Sequence, residues 1–362
     1  MHRVSIVMSV YNEEVMLEEV LDSVLGQAFS DFELIVVDNA STDRSLEICK
    51  DRASGDPRMS VFSNVVNVGP IMNFNRCLQR ATADYVRLLS ANDVSAENEL
   101  TDLVGMLDES PDAALVYATH VEPEPDQYPT LDQVDPLDRV ANLIKKFQSG
   151  HMIYGLIRRS VLDNVYPIRS KMSSDQIYLA EIALHGQILP CDTRSYRRKM
   201  HVRTEEDVAR LCSDFWPRRV DDPKPFTNAA TALTPVVDLY DGYCHMVDHA
   251  RVPARVQHSL GDTVRREVAM RWRRNLEKEA DTMLERAQAL TRLLQSSAPS
   301  ASQSRYAAAL LSGLARVADL GFAKPGHRKA ASKIDAALWQ HAPKTTRSGF
   351  STKPWLQRFL AS

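Results

Sequence analysis

The chain opens on an almost unbroken apolar and β-branched run, Val4-Ser5-Ile6-Val7-Met8-Ser9-Val10, which predicts a buried strand. The period then changes. Asn12 is placed to cap a helix whose first turn carries Glu13 and Glu14, and Leu17, Val20, Leu21, Val24 and Leu25 recur at helical spacing. The same alternation follows twice more. A strand is expected from Phe32 to Val37, a turn over Asp38 to Asp43, and a helix through Leu46, Ile48 and Cys49. Next come a short strand near Met59 to Phe62, a helix from about Met72 to Ala81 and a strand from Tyr85 to Leu89. Strands alternating with helices argue an α/β fold, a mostly parallel sheet with helices on both faces. Such sheets bind ligands at the carboxyl ends of their strands.

Further along, the pattern loosens. The stretch from Thr119 to Asp135 is rich in Pro, Asp and Glu and reads as a flexible lid or insertion. A helix near Leu137 to Phe147, a strand from Met152 to Ile157, a helix from Ser174 to His185 closed by Gly186, and polar strands up to His201 complete this part. After Thr204 strands fade. Residues 262 to 295 predict one long charged helix, 296 to 304 a linker, and 306 to 320 and 329 to 340 shorter helices. The expected organisation is an α/β domain over residues 1–203 and a mainly helical region over 204–362.

A length of 362 residues accommodates that plan, and 44% hydrophobic with 25% charged residues excludes disorder across the whole chain. Five cysteines without a CxxC pair suit neither a disulfide framework nor a cysteine zinc site, so a reducing compartment is expected. The first apolar run is too short for a secretion signal, and no stretch approaches the ~20 apolar residues of a membrane span. The expected location is cytoplasmic. The net charge of −3 conceals an asymmetry: residues 251–362 hold 20 Lys and Arg against 8 Asp and Glu, leaving 24 against 39 elsewhere. Arg265, Arg266, Arg271, Arg273 and Arg274 crowd one stretch of the long helix. They suggest docking on the anionic inner face of a membrane, with pairing to acidic residues or a dimer contact as the plainer alternatives. No nucleic-acid-binding module accompanies them, so nucleic acid is not an expected partner.

Polar residues gather at the predicted strand ends. Tyr11, after the first strand, can stack on a base, and Asp38, ending the second, can accept a hydrogen bond from one. Gly69 permits close backbone approach within Asn67-Val68-Gly69, while Asn73, Asn75 and Arg76 supply polar groups. Asp93, in Ser90-Ala91-Asn92-Asp93, suits a hard divalent cation, which bridges one or two carboxylates to substrate phosphates. Asp175 can act as a general base and His201 as a metal ligand. Each of these positions also has an ordinary reading as a helix cap, a turn or a structural histidine. Neither a Walker-type loop nor GxGxxG follows the first strand, which argues against a nucleotidyltransferase or a dehydrogenase.

As an ordered set these motifs resemble the family-2 type of inverting glycosyltransferase with the GT-A fold. The resemblance covers residues 3 to about 203. It rests on Ser9-Val10-Tyr11-Asn12-Glu13, on Phe32 through Asp43, on Asn67 with Gly69 and Asn75, and on Asn92-Asp93 after a strand. It implies a donor site of Ser9, Tyr11, Glu13, Asp38, Asn67, Gly69, Asn75 and Asn92, with Asp93 and His201 on Mg²⁺ or Mn²⁺ and Asp175 as the catalytic base. It further implies a nucleotide-diphosphate sugar donor, with a UDP-sugar favoured, and a saccharide or lipid-linked acceptor. Surface polysaccharide or glycan synthesis is the implied setting. Residues 204–362 would then serve acceptor, homo-oligomer or peripheral membrane contacts. The sequence departs from the family where Ser9 replaces a usual Pro and where Ser90 and Asn92 replace carboxylates. A nucleotide-sugar-binding protein without turnover is the alternative that the second departure motivates.

Overall fold

The first apolar run becomes the hub of a sheet. In the computed structural model, which describes residues 2–122, 129–165, 167–169, 173–198, 235–294 and 300–341, strand β1 (Val4–Val10) lies between β2 (Phe32–Asp38) and β4 (Tyr85–Ser90). It is parallel to both, and β2 carries β3 (Met59–Ser63) in parallel on its other side. Val4, Ile6, Val7, Met8 and Val10 are fully buried, as expected of a strand covered on both faces. The connections are α1 (Leu17–Leu25), α2 (Ser45–Gly55) and α3 (Pro70–Leu78).

Beyond β4 the sheet becomes mixed. β4 pairs with β7 (Leu156–Arg158), β7 with β6 (Ala113–Glu122), β6 in parallel with β8 (Gln187–Arg198), and β8 with the short β5 (Asp93–Ser95). The order is β3-β2-β1-β4-β7-β6-β8-β5, with four of the seven ladders parallel. One apolar cluster joins Val4, Ile6, Met8 and Val10 to Leu17, Val20 and Leu21 of α1 and to Leu100, Leu103 and Leu107 of α4 (Glu99–Glu109). Helices α5 (Pro136–Lys146), α6 (Arg159–Leu162) and α7 (Ser174–His185) follow, with a 3-10 turn at His151–Tyr154.

Several local expectations are corrected. Asn12 does not cap α1, which starts at Leu17 with Met16 before it and no side-chain cap. Residues 119–122 of the expected lid extend β6, and Leu131 bridges to Ile188 beside β8. The strand expected from Met152 is confined to Leu156–Arg158, because residues 151–154 coil into the 3-10 turn. Gly186 closes α7 in an extended rather than left-handed conformation, φ 171°. It is needed for room: a Cβ there would lie 2.8 Å from that of Ala114 and 2.9 Å from Asp112 O.

The chain divides into two compact units, Met1–Pro217 with Asp248–Leu260, and Arg218–Val247 with Gly261–Ser362. Helices α8 (Pro235–His249), α9 (Ala254–Arg271), α10 (Arg273–Leu294), α11 (Ala301–Asp319) and α12 (Pro325–His341) complete the described elements. In the second unit, Leu276, Ala280, Met283, Ala287, Leu290 and Leu294 form the buried stripe of α10. The Glu279 carboxylate of α10 accepts from the Val236 and Val237 N–H groups at the start of α8. The single long helix expected over 262–295 is broken at Trp272, and nothing in the sequence marks the break. Nor do residues 300–304 form a linker, because Ser300 and Gln303 make a reciprocal capping box that starts α11. No described helix is long and apolar enough to cross a membrane.

Candidate functional site

The sheet register brings the strand ends together. Val10 and Asp38 are partners, as are Asp38 and Ser63, and Ser9 and Ser90. Tyr11, Asn39, Asn64 and Ala91 therefore leave four adjacent strands at one edge. Tyr11 is 37% exposed there, enough to offer its ring to a ligand.

The loops after β1 and β2 are interlaced. Asn12 N donates to Ser41 Oγ (3.1 Å), and Thr42 N donates back to Asn12 Oδ1 (2.8 Å). Glu13 N donates to Ser45 Oγ (2.8 Å), Glu14 N to Asp43 Oδ2 (3.1 Å), and Arg44 N to Glu14 Oε2 (3.0 Å). Burial raises the Asp43 carboxyl, but hydrogen bonds from Ser45 and the Glu14 N–H outweigh it and hold the group below its usual range. Asn12 and Ala40 both take left-handed backbone, φ 54° and 60°. Asn tolerates that region, whereas Ala40 is held in it by the surrounding bonds.

Asp38 is 1% exposed. Its Oδ2 accepts from Ser41 N (3.1 Å), while Oδ1 has no hydrogen-bond donor among the described residues. A buried carboxylate oxygen with spare accepting capacity at a strand end suits a ligand N–H. Behind it runs a network of amides. Asn39 Nδ2 donates to Asn67 Oδ1 (2.8 Å), and Asn39 Oδ1 accepts from Asn64 Nδ2 and Val68 N (2.9 Å each). Asn67 Oδ1 also accepts from Gly69 N (2.8 Å), fixing the turn at which Gly69 takes φ 84°. Asn73 Nδ2 donates to Ser9 Oγ (2.8 Å) and Val37 O (2.7 Å), while its Oδ1 accepts from Asn64 Nδ2 (2.7 Å). Ser9 and Asn67 thus build the frame behind the edge. Asn75 stands apart from this network, its amide engaged by both backbone groups of Ile168. The roles of Asn39 and Asn64 had no local signature, since both sit in ordinary turn contexts.

At the end of β4, Ser90 Oγ donates to Asn92 Oδ1 (2.6 Å). Asp93, 5% exposed, begins β5 opposite Arg198 and so is not the cap of α4. His201 lies outside the described residues. No group of three or more His, Cys, Asp or Glu among the described residues could hold a metal. Asp93 is a buried carboxylate just past the end of β4, an oxygen ligand of the kind a hard divalent cation takes. A buried ion pair, Arg87–Glu99 (2.7 Å), ties β4 to α4 beneath this edge.

Asp175 stands in the first turn of α7, after Ser173 in left-handed backbone, φ 51°. Its Oδ1 accepts from Gln176 N (2.9 Å). Burial pushes the carboxyl above its ordinary value, against the opposing pull of the Gln176 and Asp175 N–H groups and the charge of His151. His151, which carried no sequence signal, is bonded through Nδ1 to Ser149 Oγ (2.5 Å) and stacks on Tyr154 at 6.2 Å between centroids.

In the second unit the clustered arginines are largely engaged. Arg265 pairs with Asp262 (2.8 Å) and Asp319 (3.1 Å), Arg266 with Glu267 (3.0 Å) and Arg273 with Glu277 (3.3 Å). Arg271 lies 4.6 Å over the Trp272 ring.

Residues 5–202 match the family description "Glycosyl transferase family 2". An uncharacterised glycosyltransferase of Haemophilus influenzae is 37% identical over 97 residues, 27% of this chain and 39% of the relative. The putative glycosyltransferase EpsE of Bacillus subtilis is 36% identical over 107 residues, 29% of this chain and 38% of the relative. The matches thus span under two-fifths of these relatives. The crystal structure of S. aureus TarS 1–349 in complex with UDP-GlcNAc superposes with a TM-score of 0.58 at 16% identity, covering 94% of this chain and 92% of that one. That likeness establishes the GT-A architecture. With the family pattern matched across more than half its length, the chain belongs to the family 2 glycosyl transferases.

Proposed function

We propose that the chain is a metal-dependent glycosyltransferase that moves a sugar from a nucleotide-diphosphate sugar to a hydroxyl acceptor, with inversion at the anomeric carbon. The observation that carries this reading is Asp38, whose buried Oδ1 lacks a donor among the described residues at the edge shared with Tyr11, Gly69 and Asn92-Asp93. Asp38 accepts from the base, Tyr11 stacks on it, and Glu13 and Asn92 contact the ribose or sugar. Ser9 and Asn67 hold the edge in shape. The binding of UDP-GlcNAc by the S. aureus protein favours a UDP-sugar here.

In the transfer, the acceptor oxygen bonds to the anomeric carbon as the bond from that carbon to the diphosphate oxygen breaks. The hydroxyl proton passes to the Asp175 carboxylate, and the electron pair leaves with the nucleoside diphosphate. Asp93 and His201 are the residues that would hold Mg²⁺ or Mn²⁺, which when bound neutralises charge on the diphosphate. We assign donor binding and catalysis to residues 1–203, and acceptor, homo-oligomer or membrane-surface contacts to residues 204–362. The expected setting is surface polysaccharide or glycan synthesis at the cytoplasmic face of a membrane, on a saccharide or lipid-linked acceptor.

The test is release and transfer of labelled sugar from a panel of nucleotide sugars, with Mn²⁺ and with EDTA. Metal-dependent transfer supports the reading. Nucleotide binding without transfer from any donor returns the chain to the class of binding proteins.

A further inference from the structure

We infer that Gly150 is a positioning residue, whose missing side chain makes the seat for the Asp175 carboxylate and so sets the reach of the base towards the acceptor. This rests on Asp175 acting as the base in the reading above. A Cβ built on Gly150 would lie 1.7 Å from Asp175 Oδ2, 2.5 Å from its Cγ and 2.8 Å from its Cβ. These are its three nearest atoms, and all belong to the Asp175 side chain.

Backbone conformation does not explain a glycine at this position. Gly150 has φ −82° and ψ 5°, which any residue adopts, so space is what the position requires. At two other tight glycines of the unit, backbone atoms are among the nearest neighbours. A Cβ at Gly155 would meet Val116 O at 2.3 Å, and one at Gly186 would meet Ala114 Cβ at 2.8 Å with Ala114 N and Asp112 O at 2.9 Å. Gly150 instead makes room for one carboxylate.

The seat confines the carboxylate from two sides. Oδ1 accepts from Gln176 N at 2.9 Å, so rotating away from Gly150 breaks that bond. Oδ2 lies against the Gly150 backbone. The neighbouring Ser149 and His151 are joined at 2.5 Å, and Ile153 N donates to Gly150 O at 3.0 Å, which holds the seat itself in place. His151 also acts on the carboxylate through its charge.

Gly150→Ala tests the inference, compared with Gly105→Ala in α4, where a Cβ meets nothing within 4 Å. Displacing the carboxylate by an ångström or so is expected to lower kcat about ten- to a hundredfold, with donor KM and nucleotide affinity unchanged. Gly105→Ala keeps wild-type turnover. If Asp175→Asn abolishes transfer while Gly150→Ala retains wild-type kcat, the seat is overturned and the base stands. If transfer survives Asp175→Asn, the base assignment has failed and the seat falls with it. Should Gly150→Ala be poorly folded, its loss in Tm is measured again in the Asp175→Gly background. A loss relieved there supports the contact, and an equal loss in both backgrounds overturns it.

Discussion

Asn75 and Ile168 are bonded to each other twice. Asn75 Nδ2 donates to Ile168 O at 2.7 Å, and Ile168 N donates to Asn75 Oδ1 at 2.8 Å, with both residues 5% exposed. The pair ties α3, on the donor side of the edge, to the segment 167–169 that precedes α7 and Asp175. Asn75→Ala leaves two buried backbone groups without partners, at a cost of about 1–3 kcal/mol each before relaxation. A lower urea midpoint with an unchanged slope is the expected result. Because its amide is already engaged, nucleotide affinity should hold. A large loss of nucleotide affinity with normal stability would return Asn75 to the donor site.

Asp175→Asn should leave donor binding intact and lower transfer by at least about a hundredfold, because Asn matches the shape but takes no proton. The wild-type carboxyl is raised by burial, so the acid limb of the kcat profile should fall above the ordinary carboxylate range. The stability sign is opposite to that of a salt-bridged acid. A raised folded-state pKa means that the fold prefers the neutral form, a preference fully present below the unfolded pKa and lost as pH rises through the folded one. Asp175→Asn should therefore melt at or above wild type near neutral pH, with that gain fading in acid. A variant that melts clearly lower at neutral pH would contradict this sign.

Asp93→Ala should abolish the metal-dependent part of nucleotide binding. It is a carboxylate at the start of β5, just past the end of β4, where Asn92 Oδ1 already accepts from Ser90. Titration of a nucleoside diphosphate with and without Mn²⁺ reads this directly. Equal affinities for wild type and variant in Mn²⁺ would remove Asp93 from the metal site.

Replacing Arg265, Arg266, Arg271, Arg273 and Arg274 together by Gln should not change flotation with anionic vesicles. Four of the five are paired or stacked within their own unit, so they form a poorer anionic-surface patch than the sequence implies. Melting temperature should fall modestly, since exposed ion pairs contribute roughly 0–1 kcal/mol each. Salt-sensitive flotation lost on substitution would instead assign membrane docking to these arginines.

The parallel half of the sheet was legible because its strands are nearly continuous apolar runs, a pattern that local sequence carries by itself. β5 was not, since Asp93-Val94-Ser95 is three residues long and two of them are polar. The insertion of β7 between β4 and β6 depends on pairs such as Tyr85 with Arg158, which no local pattern encodes. In the site, Asp38 and Asn92-Asp93 stood out because polar residues ending apolar strands are conspicuous. Asn12 misled, because the letters that cap a helix also cross-link loops, and here Thr42 and Ser41 claimed it. Gly150 had no local mark, its meaning set by a side chain 25 positions away.

The interlacing of residues 12–14 with 41–45 bears on how this site could be re-engineered. The segment that begins at Asp38 is not a detachable cassette. Transplanting residues 38–45 from another transferase, in order to change which base is read, would strand Asn12, Glu13 and Glu14 without their partners. Both loops would have to be exchanged as one block. If Asp38 reads the base as proposed, base preference would depend on both stretches together, so single substitutions at Asp38 should weaken nucleotide recognition more readily than they redirect it.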